Sequence, residues 1–533
     1  MTTRPQVEEM AVGWTLILAF FVAVGAVFFR TGLLTAPPEF DELYHLLAAR
    51  SWVETGKPEI LNGEYGRAWL FTAAIAWLFE ITGSETLMTG RFVSLALGAL
   101  LPVALFVWLA RVAGLGVAIV AAIFAIFWPR GMLDSQLLRF YSAHALFFSL
   151  GAMFFYLVFE PECLSRWLYG VLAVACWGLA FHFQLATIFG VTAAIGWLCL
   201  VFIWENAPSK TAMGMWFLGL VALAAGLLGL MWATGYLEKA WAIYRWTPLH
   251  NAEIAGYYGF YFNQLEKHYG WLLLATPVLA ILALAAQPRL ALFALALFVI
   301  PFLVHSFGGM KALRYISYAT PFLFVIWAIA IVDGLSWIVG LLSRQPEGAD
   351  LRVQKTAAVV VVMAGIVAVT GFVPRGFELL RGQGVMDRGD WSGLPGLIDD
   401  WDAPHLVATS RELHFLTYAA DTELDLIVSS SRVSELSPPE EFNLDPRLGV
   451  PAMGTEASME AVLACYRDGL LITDPEWTAE MPWAEAFGEM LTEAGLEWEK
   501  GEAGAATAWR WTDPDGTAPV CEGAVAEVDP LEE

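Results

Sequence analysis

An acidic cluster at residues 37–45 (PPEFDELYH) has residue types and spacing suited to chemistry. It follows the first hydrophobic segment and places Asp41 and Glu42 side by side, with Tyr44 and His45 close behind them. Unpaired carboxylates are costly at a lipid interface, so their position needs a reason. One reason is structural, because Asp41 is a good N-cap for the helix that follows. The other is catalytic, with Asp41 and Glu42 as catalytic residues and Asp41 as the general base. Tyr44 and His45 are then candidates for substrate binding.

A second polar cluster, residues 305–315 (HSFGGMKALRY), brings two cations together after a pair of glycines. Lys311 and Arg314 are one helical turn apart, so an ammonium and a planar guanidinium can reach the same phosphate, and Tyr315 follows them. The glycines suit the close approach of a ligand to the backbone. The alternative is that both cations simply extend from a helix end toward water.

Residues 134–144 (DSQLLRFYSAH) supply a third set of polar side chains. Asp134 is interpreted as a second acidic group of the site and Arg139 as a second phosphate contact, and a structural salt bridge between them is the alternative. Arg91, at the start of another hydrophobic segment, is also a candidate for substrate binding. No Cys and His spacing resembles a zinc site, so no metal site is predicted, and a need for a divalent ion is left open.

Hydrophobic segments must hold these clusters in place. The chain has 533 residues, 58% of them hydrophobic, and apolar runs of about 18 or more residues recur along it, as in transmembrane helices. These runs predict eleven spans with few charges away from their ends, at residues 11–29, 91–110, 113–129, 145–159, 167–181, 186–204, 212–232, 271–286, 290–305, 315–332 and 356–373. Lys and Arg in the short loops favour a cytoplasmic N-terminus, which places the C-terminus outside.

The first loop, residues 30–90, is too polar to form one span. Residues 42–54 are predicted to form an amphipathic helix that lies on the membrane. Residues 69–79 are predicted to form a surface or re-entrant helix, because about 12 apolar residues are too few for a crossing. The first loop would then carry the acidic cluster at the membrane face.

The tail, residues 376–533, carries 33 acidic and 8 basic side chains, which argues against nucleic acid or an anionic lipid surface as its partner. Its pattern predicts strands at residues 405–410, 424–429, 469–473 and 506–511, and helices at 458–466 and 484–494. We therefore expect a soluble α/β domain after a transmembrane domain of residues 1–375. Cys465 and Cys521 are the two cysteines of the tail, and they either form a disulfide or remain buried thiols.

The first loop resembles that of the GT-C membrane glycosyltransferases. The similar features lie between Pro38 and Leu97, namely Asp41, Glu42, Tyr44, Ala48-Ala49-Arg50, Gly56, Leu61-Asn62-Gly63, Trp69-Leu70 and Arg91. Lys311 to Tyr315, with Pro321 after it, resembles the later Lys-x-x-Arg-Tyr loop of the bacterial protein-mannosyltransferase and aminoarabinose-transferase group. The sequence departs from that group at residues 66–68, where a Lys-Pro-Pro run is expected, and at Tyr318, which replaces a proline.

The resemblance implies an α-helical polytopic membrane protein of the GT-C type, with about eleven transmembrane helices, amphipathic first-loop helices and the C-terminal soluble α/β domain. It implies transfer of a sugar from a polyprenyl-phosphate donor to a hydroxyl of a protein, lipid or glycan acceptor. The enzyme would be a multi-pass protein of the plasma (inner) membrane, with its active site and tail extracytoplasmic. Asp41 would be the catalytic acid or base, and Lys311 and Arg314 would bind the donor phosphate.

The residues themselves agree with this chemistry. A phosphate leaving group needs cations to neutralise it and little acid catalysis, whereas the incoming hydroxyl needs a base. One carboxylate and a Lys/Arg pair are therefore enough. A single displacement would invert the anomeric centre, because retention requires a second, nucleophilic carboxylate.

Other classes of protein fit the sequence less well. A lipid-linked sugar flippase or a transporter normally places ionisable residues within its spans, and the predicted spans have few. A scaffold that docks partners through its acidic tail would not need three polar clusters of matching chemistry. A soluble nucleotide-sugar enzyme would need a Gly-rich phosphate loop, which the sequence lacks.

Overall fold

The computed structural model describes residues 4–160, 165–247, 252–343, 349–383, 389–399, 404–419, 421–429, 443–445, 447–475, 477, 481 and 483–516. Up to residue 383 the elements are α1 (Arg4–Phe28), α2 (Phe40–Thr55), β1 (Glu59–Ile60), β2 (Gly63–Glu64), α3 (Trp69–Thr82), α4 (Leu87–Val112), α5 (Leu115–Ile126), α6 (Pro129–Asp134), α7 (Tyr141–Val158), α8 (Arg166–Phe183), α9 (Thr187–Asn206), α10 (Lys210–Ala233), α11 (Tyr236–Arg245), α12 (Ala252–Ala255), α13 (Phe260–Tyr269), α14 (Trp271–Leu274), α15 (Thr276–Ala286), α16 (Pro288–Phe307), a 3-10 turn (Leu313–Ile316), α17 (Thr320–Ile329), a π-helical turn (Ala330–Gly334), α18 (Leu335–Ser343), α19 (Ala349–Val369) and α20 (Phe372–Leu380). The tail continues with α21 (Leu394–Ile398), β3 (Val407–Thr409), α22 (Glu412–Tyr418), β4 (Leu426–Val428), β5 (Asn443–Asp445), β6 (Val450–Met453), α23 (Glu456–Cys465), β7 (Gly469–Thr473), a 3-10 turn (Ala484–Ala486), α24 (Phe487–Glu493), β8 (Glu497–Ala503) and β9 (Ala506–Thr512).

The chain packs as two compact units. The helical unit comprises Met1–Leu34 and Arg91–Val385, and the mixed unit comprises Thr35–Gly90 and Met386–Glu533. The first loop therefore packs mainly with the tail, whereas the sequence grouped it with the transmembrane domain. Adjacency along the chain does not reveal such packing.

Each of the eleven predicted spans coincides with an apolar helix. In the described part of the chain, eight helices are long and apolar enough to cross a membrane: α4, α7, α8, α9, α10, α16, α17 with its extension to Gly340, and α19 from Leu351. Residues 13–28, 115–126 and 276–286 form shorter apolar helices at the three other predicted positions. The chain is thus a polytopic membrane protein, as the sequence predicted.

Helix α17 lies at the centre of the helical unit. Every one of its residues is buried, and it packs against α5, α15 and α16. The rings of Phe324 and Trp327 contact Phe124 of α5, with centroids 5.9 and 5.3 Å apart. A helix that is apolar on all sides is stable only where other helices surround it. Helix α10 differs, because it exposes Leu218 and Trp232 as a lipid-facing helix does.

The first loop folds into α2, a short hairpin of β1 and β2, and α3. The predicted amphipathic helix is confirmed, but Leu43 and Leu46 of α2 are buried, and the helix packs on α3 and α22. Protein therefore covers these two leucines, for which the sequence predicted contact with the membrane. The sequence did not distinguish the two surfaces, because the same amphipathic pattern suits a helix that packs on protein and a helix that lies on lipid.

The hairpin tip docks on the tail. The Asn62 N–H donates a hydrogen bond to Leu448 O at 3.0 Å, and a Cβ on Gly63 would overlap the backbone of Arg447. Leu61, at the tip, has a positive φ of 54°, a conformation that surrounding contacts must hold in place. Because a Cβ would overlap the Arg447 backbone, only glycine fits at position 63.

The tail contains a twisted seven-stranded sheet in the order β5-β6-β4-β3-β7-β9-β8. Strands β3, β4, β6 and β7 run parallel, and β5, β9 and β8 pair in antiparallel fashion at the two sides. From β3 the chain moves outward through β4 to β6, and it then crosses to β7 on the other side of β3. The sheet is therefore doubly wound, with its switch point between β3 and β7.

The strands and helices predicted in the tail are all present, and the predicted α/β domain is confirmed. Strands β5, β6 and β8 and helices α21 and α22 were not predicted. Strand β8 is an exposed edge strand, EWEKGEA, so it lacks the apolar alternation that identifies half-buried strands. Cys465 is disulfide-bonded, and Cys521 lies outside the described residues.

We predict that Gly63→Ala destabilises the docking of the hairpin on the tail, because the new Cβ overlaps the Arg447 backbone. Overpacking of this kind costs roughly 1–3 kcal/mol, so the melting temperature of the detergent-solubilised protein should fall. Gly66→Ala is the matched control, since nothing lies within 4 Å of a Cβ there. Equal melting temperatures for the two variants would contradict the docking.

Candidate functional site

Helix α2 starts with hydrogen bonds that use Glu39 and Glu42. Glu39 is the N-cap, in extended conformation, and its N–H donates to Glu42 Oε2 at 2.7 Å. Glu42 is fully buried and forms the return half of this capping box. Asp41 lies half-buried in the first turn, where exposed helix N–H groups favour a negative charge. The capping role weighed for Asp41 therefore belongs to Glu39 and Glu42.

Tyr44 and His45 anchor the next part of the same turn. The Tyr44 ring stacks on Tyr65, with centroids 5.1 Å apart and planes at 7°, and its hydroxyl accepts a hydrogen bond from Arg447 Nη1 at 3.0 Å. His45 Nδ1 is hydrogen-bonded to Thr72 Oγ1 of α3 at 2.9 Å. These directional contacts fix the rotation of α2 about its axis.

The first residue of α2 contacts α22 of the tail. The Phe40 ring lies 5.9 Å from the ring of His414 and 5.9 Å from the guanidinium carbon of Arg411. His414 also stacks on Trp391 at 4.9 Å. Burial, and to a smaller extent the charge of Arg411, lower the pKa of His414 to about 4. His414 is thus a neutral, ring-packed histidine near neutral pH.

In the helical unit, Lys311 is a buried cation. It is 2% exposed, and its ammonium donates to Ser306 O at 2.7 Å and Gly308 O at 2.9 Å. Among the described residues it forms no ion pair with a carboxylate. Burial lowers the pKa of Lys311, and the charge of Arg245 lowers it further. An anion bound beside Lys311 would offset the free-energy cost of burying the charged ammonium.

Gly309 lets the loop of Lys311 pack against the end of α11. Its N–H donates to Tyr244 O at 3.0 Å, and a Cβ on it would lie 2.6 Å from Trp246 O. The sequence assigned the two glycines to a ligand, but the close approach at Gly309 is to the protein's own backbone. This packing brings in Arg245, which is exposed and lies over the Trp241 ring at 5.8 Å.

The ring of Tyr141, at the start of α7, contacts two guanidinium groups. Arg139 lies 5.1 Å from its ring centroid and Arg314 lies 5.6 Å from it. Arg314 is also 5.6 Å from the ring of Tyr315, whose hydroxyl donates to Met310 Sδ at 2.7 Å. The two arginines named from separate loops therefore meet on one aromatic ring. Contacts of this kind hold a cation against the face of an aromatic ring.

Asp134 belongs to a structural ion pair. Its carboxylate accepts from Arg130, one turn earlier in α6, and from Ser317 Oγ at 2.8 Å. The sequence offered Arg139 as the partner of Asp134, and the structure supplies Arg130 instead. Asp134 thereby ties α6 to the segment that follows Arg314.

Two arginines of the helical unit bind backbone carbonyls. Arg91 is fully buried, and its Nη1 donates to Leu33 O at 3.0 Å and Leu34 O at 3.1 Å. Arg30, which the sequence did not single out, donates to Ala125 O at 3.0 Å and Ser135 Oγ at 3.2 Å. Both hold together the start of the first loop and its neighbouring helices.

Tyr318, where the family pattern has a proline, joins three helices. Its hydroxyl donates to Ala186 O at 3.0 Å and lies 3.3 Å from His305 Nε2. Its ring packs on His144 at 4.9 Å, and His144 Nε2 is hydrogen-bonded to Thr187 Oγ1 at 2.9 Å. The departure from the family pattern thus has a structural use beside the Lys311 loop.

The geometry can be stated for each unit. The helical unit brings Arg139, Arg314 and Tyr315 together around Tyr141, with Lys311 in the same loop as Arg314. The mixed unit brings Asp41, Glu42, Tyr44 and His45 into one helical turn. Within the described part of the chain, no group of three or more His, Cys, Asp or Glu side chains is arranged to hold a metal ion.

Comparisons with known proteins identify the fold. No protein-family model matches the sequence, and no curated protein matches it. The crystal structure of ArnT from Cupriavidus metallidurans bound to undecaprenyl phosphate superposes with a TM-score of 0.59 at 16% identity, over 93% of this chain and 98% of that one. The archaeal oligosaccharyltransferase AglB from Archaeoglobus fulgidus, in complex with an inhibitory peptide and a dolichol-phosphate, gives 0.61 at 11% identity, over 95% and 75%.

The chain therefore has the fold of the GT-C membrane glycosyltransferases. The fold that the first-loop and Lys-x-x-Arg-Tyr resemblances implied is confirmed. The similarity includes the tail as well as the helices, because it covers 93% of this chain.

We predict that the tail loses stability as the pH falls from 6.5 to about 4 through His414. A histidine in the unfolded chain takes up a proton near pH 6.5, whereas His414 in the folded tail takes one up only near pH 4. This difference in pKa corresponds to about 3 kcal/mol of the free energy of unfolding, which is lost as the pH falls through this range. Melting curves at pH 7 and pH 4.5 should differ less for His414→Gln than for the native chain. His405→Gln, at an exposed position, should keep the native difference, and an unchanged difference in His414→Gln would contradict the assignment.

Proposed function

We propose that the protein is a membrane glycosyltransferase that moves a sugar from a polyprenyl-phosphate donor to a hydroxyl acceptor. The observation that carries this proposal is the burial of Lys311 without a carboxylate partner among the described residues. A buried, uncompensated cation is costly unless an anion binds beside it. The GT-C fold supports a lipid-linked phosphate as that anion, since the ArnT structure holds undecaprenyl phosphate and the AglB structure holds a dolichol-phosphate.

The donor phosphate binds to the cations of the helical unit. Lys311 supplies a point charge with a third N–H beyond the two given to Ser306 and Gly308. Arg314 and Arg139 supply planar donors held on Tyr141, and Tyr315 packs beside Arg314. Arg245 adds positive charge from α11.

Asp41 is the general base of the transfer. The acceptor hydroxyl gives its proton to Asp41 while its oxygen attacks the anomeric carbon. The bond from that carbon to the phosphate oxygen breaks, and the electron pair leaves with the phosphate, where the cations stabilise it. A single displacement of this kind inverts the anomeric centre.

The other candidate residues hold this machinery in position. Glu42 caps α2, and Tyr44 and His45 fix the turn that carries Asp41. Arg91 and Asp134 support the ends of the neighbouring helices through backbone and ion-pair contacts. These are positioning roles, whereas the sequence had assigned Glu42 to catalysis and the other four residues to substrate binding.

The reaction takes place on the extracytoplasmic face of the plasma membrane. The disulfide of Cys465 supports this location for the tail, because disulfides persist in oxidising compartments. The acceptor is a hydroxyl of a protein, lipid or glycan. Hexoses and pentoses both fit this reaction, and the donor panel described below distinguishes them.

We predict that Asp41→Asn lowers kcat roughly 100- to 10,000-fold, the usual contribution of a general base. Release of sugar from a panel of radiolabelled polyprenyl-phosphate sugars in proteoliposomes measures the rate. Glu54→Gln, an exposed carboxylate later in α2, is the matched control and should keep native activity. Unchanged transfer in Asp41→Asn would remove the base role.

Lys311→Met should weaken donor binding, because charged hydrogen bonds contribute about 1.5–3 kcal/mol each. The expected result is a rise of roughly 10- to 100-fold in the KM for the donor. Lys57→Met, at an exposed position, should leave that KM unchanged. Movement of the lipid carrier across the bilayer by the native chain, with no sugar transfer from any donor, would instead favour a flippase.

A further inference from the structure

The tail sheet has a carboxyl edge, which is where other domains with doubly wound sheets bind ligands. In doubly wound sheets, ligands bind outside the carboxyl ends of the parallel strands at the switch point. Here that switch point lies between β3 and β7. The chain leaves these two strands at Ser410 and Asp474, so the segments that follow them form the carboxyl edge.

An ion pair spans this edge. Arg411 Nε lies 2.6 Å from Asp474 Oδ2, and both side chains are largely buried. Ser410 is also buried, next to Arg411. The pair joins the residues that leave β3 and β7 and holds the Arg411 guanidinium at the switch point.

The start of α2 lies against this edge. The Arg411 guanidinium carbon is 5.9 Å from the Phe40 ring centroid, and His414, in the first turn of α22, packs on the same ring. Phe40 is the first residue of α2. The edge at which other domains bind small ligands therefore holds part of this protein's own first loop.

A second arginine of the tail holds the next turn of α2. Arg447 donates to the Tyr44 hydroxyl at 3.0 Å, and its guanidinium carbon lies 5.7 Å from the Tyr44 ring. The Arg447 N–H is itself bound to Asp445 Oδ1 at 2.8 Å, and the adjacent Leu448 carbonyl receives the Asn62 N–H. Arg447 is thus fixed by both the tail and the hairpin of the first loop.

Asp41 lies between these two attachments. It follows Phe40 directly and precedes Tyr44 by three residues, so all three belong to one helical turn. We propose that the tail positions Asp41 through Arg411 on Phe40 and Arg447 on Tyr44. Arg411 and Arg447 are then positioning residues of the glycosyl transfer, and this inference rests on the proposed role of Asp41.

Positioning by a separate domain matters because a general base must lie within hydrogen-bond reach of its proton. A misplacement of about 1 Å can cost 100-fold in rate. Within the first loop, α2 packs mainly on α3 and on the hairpin. The tail adds two cationic attachments on either side of Asp41.

The test compares Arg447→Met and Arg447→Lys with the native chain. Arg447→Met should lower kcat roughly 10- to 100-fold, while the KM for the donor changes less than about twofold, because the donor cations lie in the helical unit. Arg447→Lys keeps a donor for the Tyr44 hydroxyl and should recover part of the rate. Combining Arg447→Met with Tyr44→Phe should lower kcat no further than the stronger single variant, since both remove one interaction.

Arg467→Met is the matched control. Arg467 pairs with Asp513 at 2.9 Å and donates to Ala494 O at 2.8 Å, and it precedes β7, at the amino end of that strand. The Arg467→Met substitution removes contacts of a similar kind from the same domain, and its kcat should stay at the native value. A loss of kcat in Arg467→Met equal to that in Arg447→Met would overturn the inference, as would native kcat in Arg447→Met.

Hydrogen exchange of the ligand-free protein separates this inference from the proposed function. Amides in the first two turns of α2 should exchange faster in Arg447→Met than in the native chain or in Arg467→Met. Unchanged exchange would overturn the inference even if the enzyme is active. Faster exchange in a chain that transfers no sugar from any donor would support the attachment of α2 to the tail and reject the proposed function.

Discussion

The burial of the Lys311 ammonium determines the arrangement of the polar end of the helical unit. Lys311 is surrounded by backbone carbonyls of its own loop, and Arg139 and Arg314 are held by the ring of Tyr141. Carbonyl dipoles and aromatic faces stabilise cations without cancelling their charge, whereas a carboxylate would cancel it. Within the described part of the chain, Lys311 has carbonyl oxygens and no carboxylate as its partners.

The acidic side chains follow a different rule. Glu42 accepts the N-cap N–H of α2, and Asp134 accepts from Arg130 and Ser317. Both buried carboxylates have hydrogen-bond or ion-pair partners, which an ionised group inside a protein needs. Asp41 stands next to Glu42 in sequence but is half-exposed in the first turn. Two neighbouring carboxylates thus occupy different surroundings, because only Glu42 faces the helix N-cap.

The tail shows how a common architecture serves a local purpose. Its parallel strands end in an edge built around Arg411 and Asp474, and that edge meets Phe40 instead of a soluble ligand. The docking of the hairpin through Asn62 and the Tyr44–Arg447 hydrogen bond extend the contact. The first loop and the tail, far apart in sequence, consequently form one packed unit.

The sequence by itself determined the spans, three of the four parallel strands (β3, β4 and β7) and the polar clusters, because apolar length, alternation and charge are local properties. The GT-C fold followed from two short motifs in the first loop and the Lys311 loop. Tertiary structure alone decided that Glu39 and Glu42 cap α2, that Asp134 pairs with Arg130, and that Gly309 faces the backbone of α11 and its following residues. It also revealed Tyr141, Arg245 and Arg447, since their partners lie in other segments of the chain. Such contacts depend on which surfaces meet in space, and the spacing of residues along a sequence does not specify that.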